Sequence, residues 1–122
     1  ADLDDDGFQD IIVAHQRRSP EILINKSHGE PSVVFQFVGT QSNRNGQGVK
    51  IRIKDSRGRE LQRQVYAGGS FQSSSPSRLL VPLGSESNME IQWPSGQKTT
   101  ISLPPAGPDG RKSLVPIEGF SP

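Results

Sequence analysis

The chain contains no cysteine, and its 122 residues include only two histidines, one methionine, one tryptophan and one tyrosine. The missing cysteine excludes disulfides, thiolate metal centres and a cysteine nucleophile, while leaving secretion open. Hydrophobic residues make up only 30% of the chain. No apolar run is long enough to cross a membrane as a helix, and no secretory leader is recognisable. Nor does any segment carry the 3.6-residue apolar period of an amphipathic helix. With helices set aside, 13 glycines and 10 prolines point to short strands joined by tight turns, and hence to an all-β chain with a modest core.

Catalytic signals are as sparse. His15 ends an apolar run and reads as a strand-edge residue, His28 sits in a polar link, and neither lies near a Ser or Asp in a nucleophile pattern. No nucleophile elbow occurs, and Ser73-Ser74-Ser75 reads as a loop. The expectation is therefore a protein that is not an enzyme. Asn25-Lys26-Ser27 forms a glycosylation sequon, which has meaning only in a eukaryotic secretory setting and is taken as chance.

Charge is unevenly spread. The net charge is +1, yet the first ten residues hold five of the 13 acids, leaving 14 basic against 8 acidic groups in the remainder. A basic body of this kind favours anionic partners such as an acidic polysaccharide. Lys50, Arg52 and Lys54 alternate with Val49, Ile51 and Ile53, which places three cations on one face of a half-buried strand and makes them a candidate ligand surface. A solvated strand face is the plainer reading. Single-strand nucleic-acid binders interleave such cations with exposed aromatics, whereas only seven aromatics are present here and Phe35 and Phe37 alternate like core residues. Trp93, ahead of Pro94-Ser95-Gly96, reads as a core anchor at a hairpin turn.

Strands are expected at Ile11 to His15 and Glu21 to Asn25, joined by a polar turn, then at Val33 to Val38 and Val49 to Lys54. Further strands are expected at Arg59 to Tyr66 after an Asp55-Ser56-Arg57-Gly58 turn, and at Arg78 to Leu83, Met89 to Trp93 and Gln97 to Leu103. Gly68-Gly69 breaks the chain between two of these, and a short final strand is expected at Leu114 to Ile117 within a proline-rich tail.

The densest signal is at the start, where Asp2, Asp4, Asp6 and Asp10 surround Gly7 in the order D-x-D-x-D-G-x-x-D. Carboxylates at every second position, followed by a glycine that permits a sharp turn, can wrap hard oxygen ligands around calcium. Asp2, Asp4, Asp6 and Asp10 would give side-chain oxygens and Phe8 its carbonyl. An EF-hand starts in this way but closes with a Glu at its twelfth position and enters a helix. Here Val13 stands at that position and the loop runs into the β-branched segment Ile11-Ile12-Val13.

The segment ADLDDDGFQDIIVA, residues 1–14, resembles the calcium loop and following strand of an FG-GAP or VCBS repeat, the blade unit of integrin-type propellers. Downstream, Ser42-Asn43-Arg44, Gly48 to Ile53, Val65 to Phe71, Leu83-Gly84 and Ile91-Gln92-Trp93-Pro94-Ser95-Gly96 resemble, in that order, the ASPIC/UnbV domain. In this family the domain follows FG-GAP repeats in secreted proteins such as cartilage acidic protein. Two departures are visible: Asn45-Gly46 stands where an acidic and a small apolar residue are expected, and Pro82 where glycine is.

The resemblance implies an antiparallel β-sandwich with an N-terminal calcium loop and a hairpin left from a propeller blade. The expected divisions are 1–30 for the end of the repeat, 31–103 for the ASPIC/UnbV-like domain and 104–122 for the proline-rich segment. It also implies a calcium-binding structural or adhesive module of a larger secreted protein, extracellular or at the cell surface. Its partners would be an extracellular protein or glycan and its own upstream propeller repeats, with no membrane insertion. Because the chain opens inside the loop, it is expected to be a fragment whose targeting signal lies upstream. Two rivals make different demands. A domain acting on polysaccharide needs paired carboxylates in a cleft, and a basic nucleic-acid binder needs an affinity that falls steeply with salt.

Overall fold

The computed structural model describes residues 3–4, 6, 8–27, 29, 32–55, 57–66, 68–69, 74–83, 86–104 and 112–120, with the backbone alone described at Lys112. Among these residues the protein is all-β, with nine strands and no helix. A two-stranded hairpin pairs β1 (Ile11–Val13) with β2 (Glu21–Leu23). A three-stranded sheet has the order β6 (Arg78–Pro82), β3 (Ser32–Gln36), β9 (Lys112–Leu114). A four-stranded sheet has the order β5 (Glu60–Gln64), β4 (Lys50–Asp55), β7 (Ser87–Gln92), β8 (Lys98–Leu103). The described pairings are antiparallel apart from β3 with β9 and a bridge between Val38 and Ile117.

Strict alternation produces the two larger sheets. In β4 Ile51 and Ile53 are buried between exposed Lys50, Arg52 and Lys54, and in β7 and β8 Met89, Ile91, Ile101 and Leu103 turn inward between polar neighbours. Registered pairing lines these up, so that Leu61, Ile53, Met89 and Ile101 form one apolar row across the four strands. The facing sheet contributes Val33 and Phe35 from β3, Phe37 just beyond it, and Val81 from β6, all buried in the same cluster. Two apolar faces closing on one core make a sandwich. The Phe37 and Trp93 rings meet edge to face at 6.2 Å, which joins the two layers at one end, and the Trp93 indole N–H donates to Thr99 Oγ1 at 3.2 Å. Trp93 is thus the expected core anchor.

Turns fall where the sequence marks them. Gly58 closes the β4–β5 hairpin with φ of 80° and its N–H on the Asp55 carbonyl, and Gly96 closes the β7–β8 hairpin with φ of 92° and its N–H on the Trp93 carbonyl. Pro82 ends β6 at the sheet edge, where its missing N–H breaks no ladder.

The final strand differs from expectation. β9 spans Lys112–Leu114, two residues ahead of the expected Leu114 to Ile117, and runs parallel to β3 in the register Val33 to Lys112, Val34 to Ser113 and Phe35 to Leu114. Beyond it Val38 N–H donates to the Pro116 carbonyl and Glu118 N–H to the Val38 carbonyl. The open edge of β3, and not the apolarity of the tail, decides where pairing starts.

Candidate functional site

In the aspartate loop, Asp10 is the organising residue. It is buried, and its two carboxylate oxygens accept the backbone N–H groups of Leu3 at 2.7 Å and Asn25 at 2.8 Å. It therefore fastens the beginning of the loop to the end of β2. The Asn25 and Leu3 N–H groups hold the Asp10 carboxyl below the usual carboxylate range. Asp6 Oδ1 accepts the Phe8 N–H at 2.9 Å, and the Phe8 ring packs on Gly29. Asn25 in turn accepts from the Ser27 N–H and hydroxyl and donates to the Gln9 carbonyl.

Lys26 places its ammonium 3.1 Å from Asp4 Oδ2, and this contact, with the fields of Asp6 and Asp10, holds the Lys26 amine above its ordinary pKa. A hard positive charge is what these oxygen donors accommodate. Among the described residues no three His, Cys, Asp or Glu side chains stand together as a metal cage. Asp2, the first ligand expected, lies outside those residues, as does Gly7. Elsewhere, His15 Nε2 lies 3.2 Å from the Glu21 carboxylate at the strand edge, and His28 and Ser73 are likewise outside the described residues.

The outer face of the four-stranded sheet carries the expected cations. Register places twelve residues on it in three rows: Gln64, Lys50, Gln92 and Lys98; Gln62, Arg52, Glu90 and Thr100; Glu60, Lys54, Asn88 and Ser102. None is apolar. Arg52 pairs with Glu60 at 3.1 Å and Lys98 with Glu90 at 3.6 Å. Lys50 and Lys54 take no ion pair or hydrogen bond among the described residues. Asp55, at the end of β4, is turned away from a free role: burial pushes its carboxyl up, but Arg59 and neighbouring N–H groups pull it below the usual range.

A third site was not visible in the sequence. Glu118 is fully buried. Its Oε2 accepts three successive backbone N–H groups, from Thr40, Gln41 and Ser42, at 2.7–2.8 Å. Its Oε1 accepts the hydroxyls of Ser42 at 2.7 Å and Ser95 at 2.5 Å. Ser42 Oγ also accepts the Ser95 N–H at 3.0 Å, and Thr40 Oγ1 donates to the Glu118 carbonyl. One carboxylate thus draws the Ser42-Asn43-Arg44 loop and the Pro94-Ser95-Gly96 turn into a single structure. Burial alone would raise the Glu118 pKa, but the donors from Ser95, Ser42 and Gln41 outweigh it and hold it at about 2. Successive N–H groups converging on one oxygen form an anion-binding nest. Here the protein's own tail fills it. The only local hint was an acid in an otherwise apolar Val115-Pro116-Ile117-Glu118-Gly119 run, and its donors lie more than 20 residues away in each case.

The two loops that Glu118 joins, together with β4 to β8, fall within the match to the model of the ASPIC and UnbV family, which covers residues 39–109. Neither the curated proteins nor the solved structures contain a match to the chain. The match spans more than half of the chain, and the strand order, the tryptophan at the sandwich end and the clamped loops are laid out along it: the chain belongs to the ASPIC and UnbV family.

Proposed function

We propose that the protein is a non-enzymatic, calcium-binding structural or adhesive module of a larger secreted protein. The observation that carries the metal reading is the loop tied by Asp10. A buried carboxylate holds Leu3 and Asn25 together, and Asp4 and Asp6 draw the Lys26 ammonium toward them. Calcium would take Asp2, Asp4, Asp6 and Asp10 through their carboxylates and Phe8 through its carbonyl, displacing Lys26. An oxygen-only donor set on a surface loop suits the weak affinities of extracellular modules.

The hairpin supports the repeat reading. Ile11 and Leu23 lie on one face and Ile12 and Ile22 on the other, all more than half exposed. A two-stranded hairpin with apolar residues on both faces is marginal alone and suits the interior of a larger sheet. In this reading it belongs to an FG-GAP blade, and upstream repeats of the same protein cover it. The module then acts by holding a rigid β-domain against a propeller and presenting it to an extracellular protein or glycan. The non-enzymatic reading is supported by Glu118, whose buried carboxylate spends both oxygens on backbone and hydroxyl donors.

Amide hydrogen exchange tests the metal assignment. Added calcium should slow exchange at Leu3, Phe8 and Asn25 in the native chain and leave it unchanged in an Asp4→Asn/Asp6→Asn double variant. Equal exchange with and without calcium in the native chain would overturn it.

A further inference from the structure

The outer face of the four-stranded sheet is chemically uniform in an unusual way. Its twelve registered positions hold four cations, two carboxylates, four amides and two hydroxyls. Both carboxylates are already paired, Glu60 with Arg52 and Glu90 with Lys98. The excess positive charge therefore sits on Lys50 and Lys54, at the two ends of the outward side of β4. Four residues of extended strand separate them by about 14 Å.

Two depressions border this face, the larger at the end of the sheet. One of about 240 Å³ is bordered by Lys50, Arg52, Gln62, Glu90 and Gln92, and a larger cleft of about 660 Å³ by Lys54, Asn88 and Ser102 with Asp55 and Glu86. Two residues past Gln64, Tyr66 is 61% exposed and its hydroxyl donates to Gln64 Oε1 at 3.1 Å. The face thus offers a linear track: a cation at each end, hydrogen-bonding amides and hydroxyls between, and one exposed ring at a corner.

We infer that this face binds a linear anionic polysaccharide lying along β4, with Lys50 and Lys54 pairing successive acidic groups and Gln62, Gln92, Asn88 and Thr100 hydrogen-bonding sugar hydroxyls. The inference deepens the glycan part of the proposed function and does not depend on its metal part. The chemistry discriminates among polymers. A protein partner would be met by an apolar or aromatic centre, and the face has none. A single-stranded nucleic acid would need several rings on which bases stack, and Tyr66 is one ring at the margin. A hydroxyl-rich polyanion asks for cations and amides, which are what β4, β5, β7 and β8 turn outward. Whether its acid is carboxylate or sulfate is a matter of source, since Lys pairs with either.

The experiment is a binding titration of the full chain, in chelator and low salt, with short oligogalacturonate and with a chondroitin sulfate oligosaccharide. Neutral dextran and single-stranded oligothymidylate serve as comparison ligands. Working in chelator keeps the result separate from the calcium assignment, so that either can fail alone. The inference expects at least one of the acidic oligosaccharides to bind and dextran not to. The Lys50→Gln/Lys54→Gln variant, with unchanged melting temperature, should bind about tenfold more weakly and depend less on salt. Gln62→Ala/Gln92→Ala should also weaken binding while keeping the native salt dependence. Failure of both acidic oligosaccharides to bind would overturn the inference, as would binding untouched by either variant. Oligothymidylate binding as tightly as the oligosaccharides would reassign the face to nucleic acid and overturn it equally.

Discussion

Glu118 shows how much a single carboxylate can organise. Five donors from two loops converge on it, and its pKa is held at about 2 against an ordinary 4.5. A carboxyl depressed on folding stabilises the native state above its unfolded pKa, and that stabilisation fades as pH falls through the folded value. Stability measured by denaturant should therefore be flat near neutrality and drop by roughly 3 kcal/mol between about pH 5 and pH 2 through this group. Glu118→Gln should remove that part of the acid dependence and cost about 1–3 kcal/mol at neutral pH, with Glu118→Ala costing more because five donors lose their acceptor. A Glu118→Gln chain with the native acid profile would contradict this. Two glycines give a second test at this scale. Gly46 has φ of 67° and a Cβ there would lie 2.5 Å from Phe37 Cβ, whereas Gly58 has φ of 80° and open space around it. Gly58→Ala should cost about 1–2 kcal/mol of left-handed strain, and Gly46→Ala distinctly more, because the backbone strain is joined by a clash with the Cβ and backbone of buried Phe37. In the sequence Gly46 stood out as a departure from the family pattern, and Gly58 was legible as a turn residue. Their different costs were not, because the neighbour that matters at Gly46 is nine residues away across the loop.

Among the elements, legibility followed the source of the information. β4, β7 and β8 alternate so strictly that their faces could be assigned from residue type alone, and Val33, Phe35 and Phe37 likewise turned out to be the buried set. Asp55 to Gly58 and Pro94 to Gly96 announced their hairpins through turn chemistry. β9 was misplaced because nothing in Lys112-Ser113-Leu114 distinguishes it locally, and its position is set by the free edge of β3. This element also carries a prediction. The family match ends at residue 109, yet β9 and Glu118 lie beyond it and complete the three-stranded sheet and the clamp. A chain cut after residue 109 should melt well below the full chain and lose its cooperative transition. Equal melting temperatures would show that the tail is dispensable and that the clamp contributes little.

For the molecule as a whole, low apolar content and abundant glycine and proline were enough to foresee an all-β chain, because such a composition buries a core most readily by alternating strands between turns, while the sandwich was implied by the family resemblance. The polarisation of charge was legible too, and the structure resolves it into an acidic loop at the hairpin and a cationic track on the four-stranded sheet. The joining of the Ser42 loop to the Ser95 turn was not, since contacts between distant turns leave no periodic trace. These parts fit the function proposed above: a β-sandwich locked at one end by its own tail, to which the proposal adds a polar face for a partner and a calcium loop at the junction with a propeller. The calcium loop is the central claim, and calorimetric titration of the chelator-stripped full chain is its most direct test. The account predicts saturable binding of one calcium ion per chain with a dissociation constant of about 10⁻⁴–10⁻³ M, lost in Asp4→Asn/Asp6→Asn. No heat of binding up to several times about 10⁻³ M calcium would contradict it.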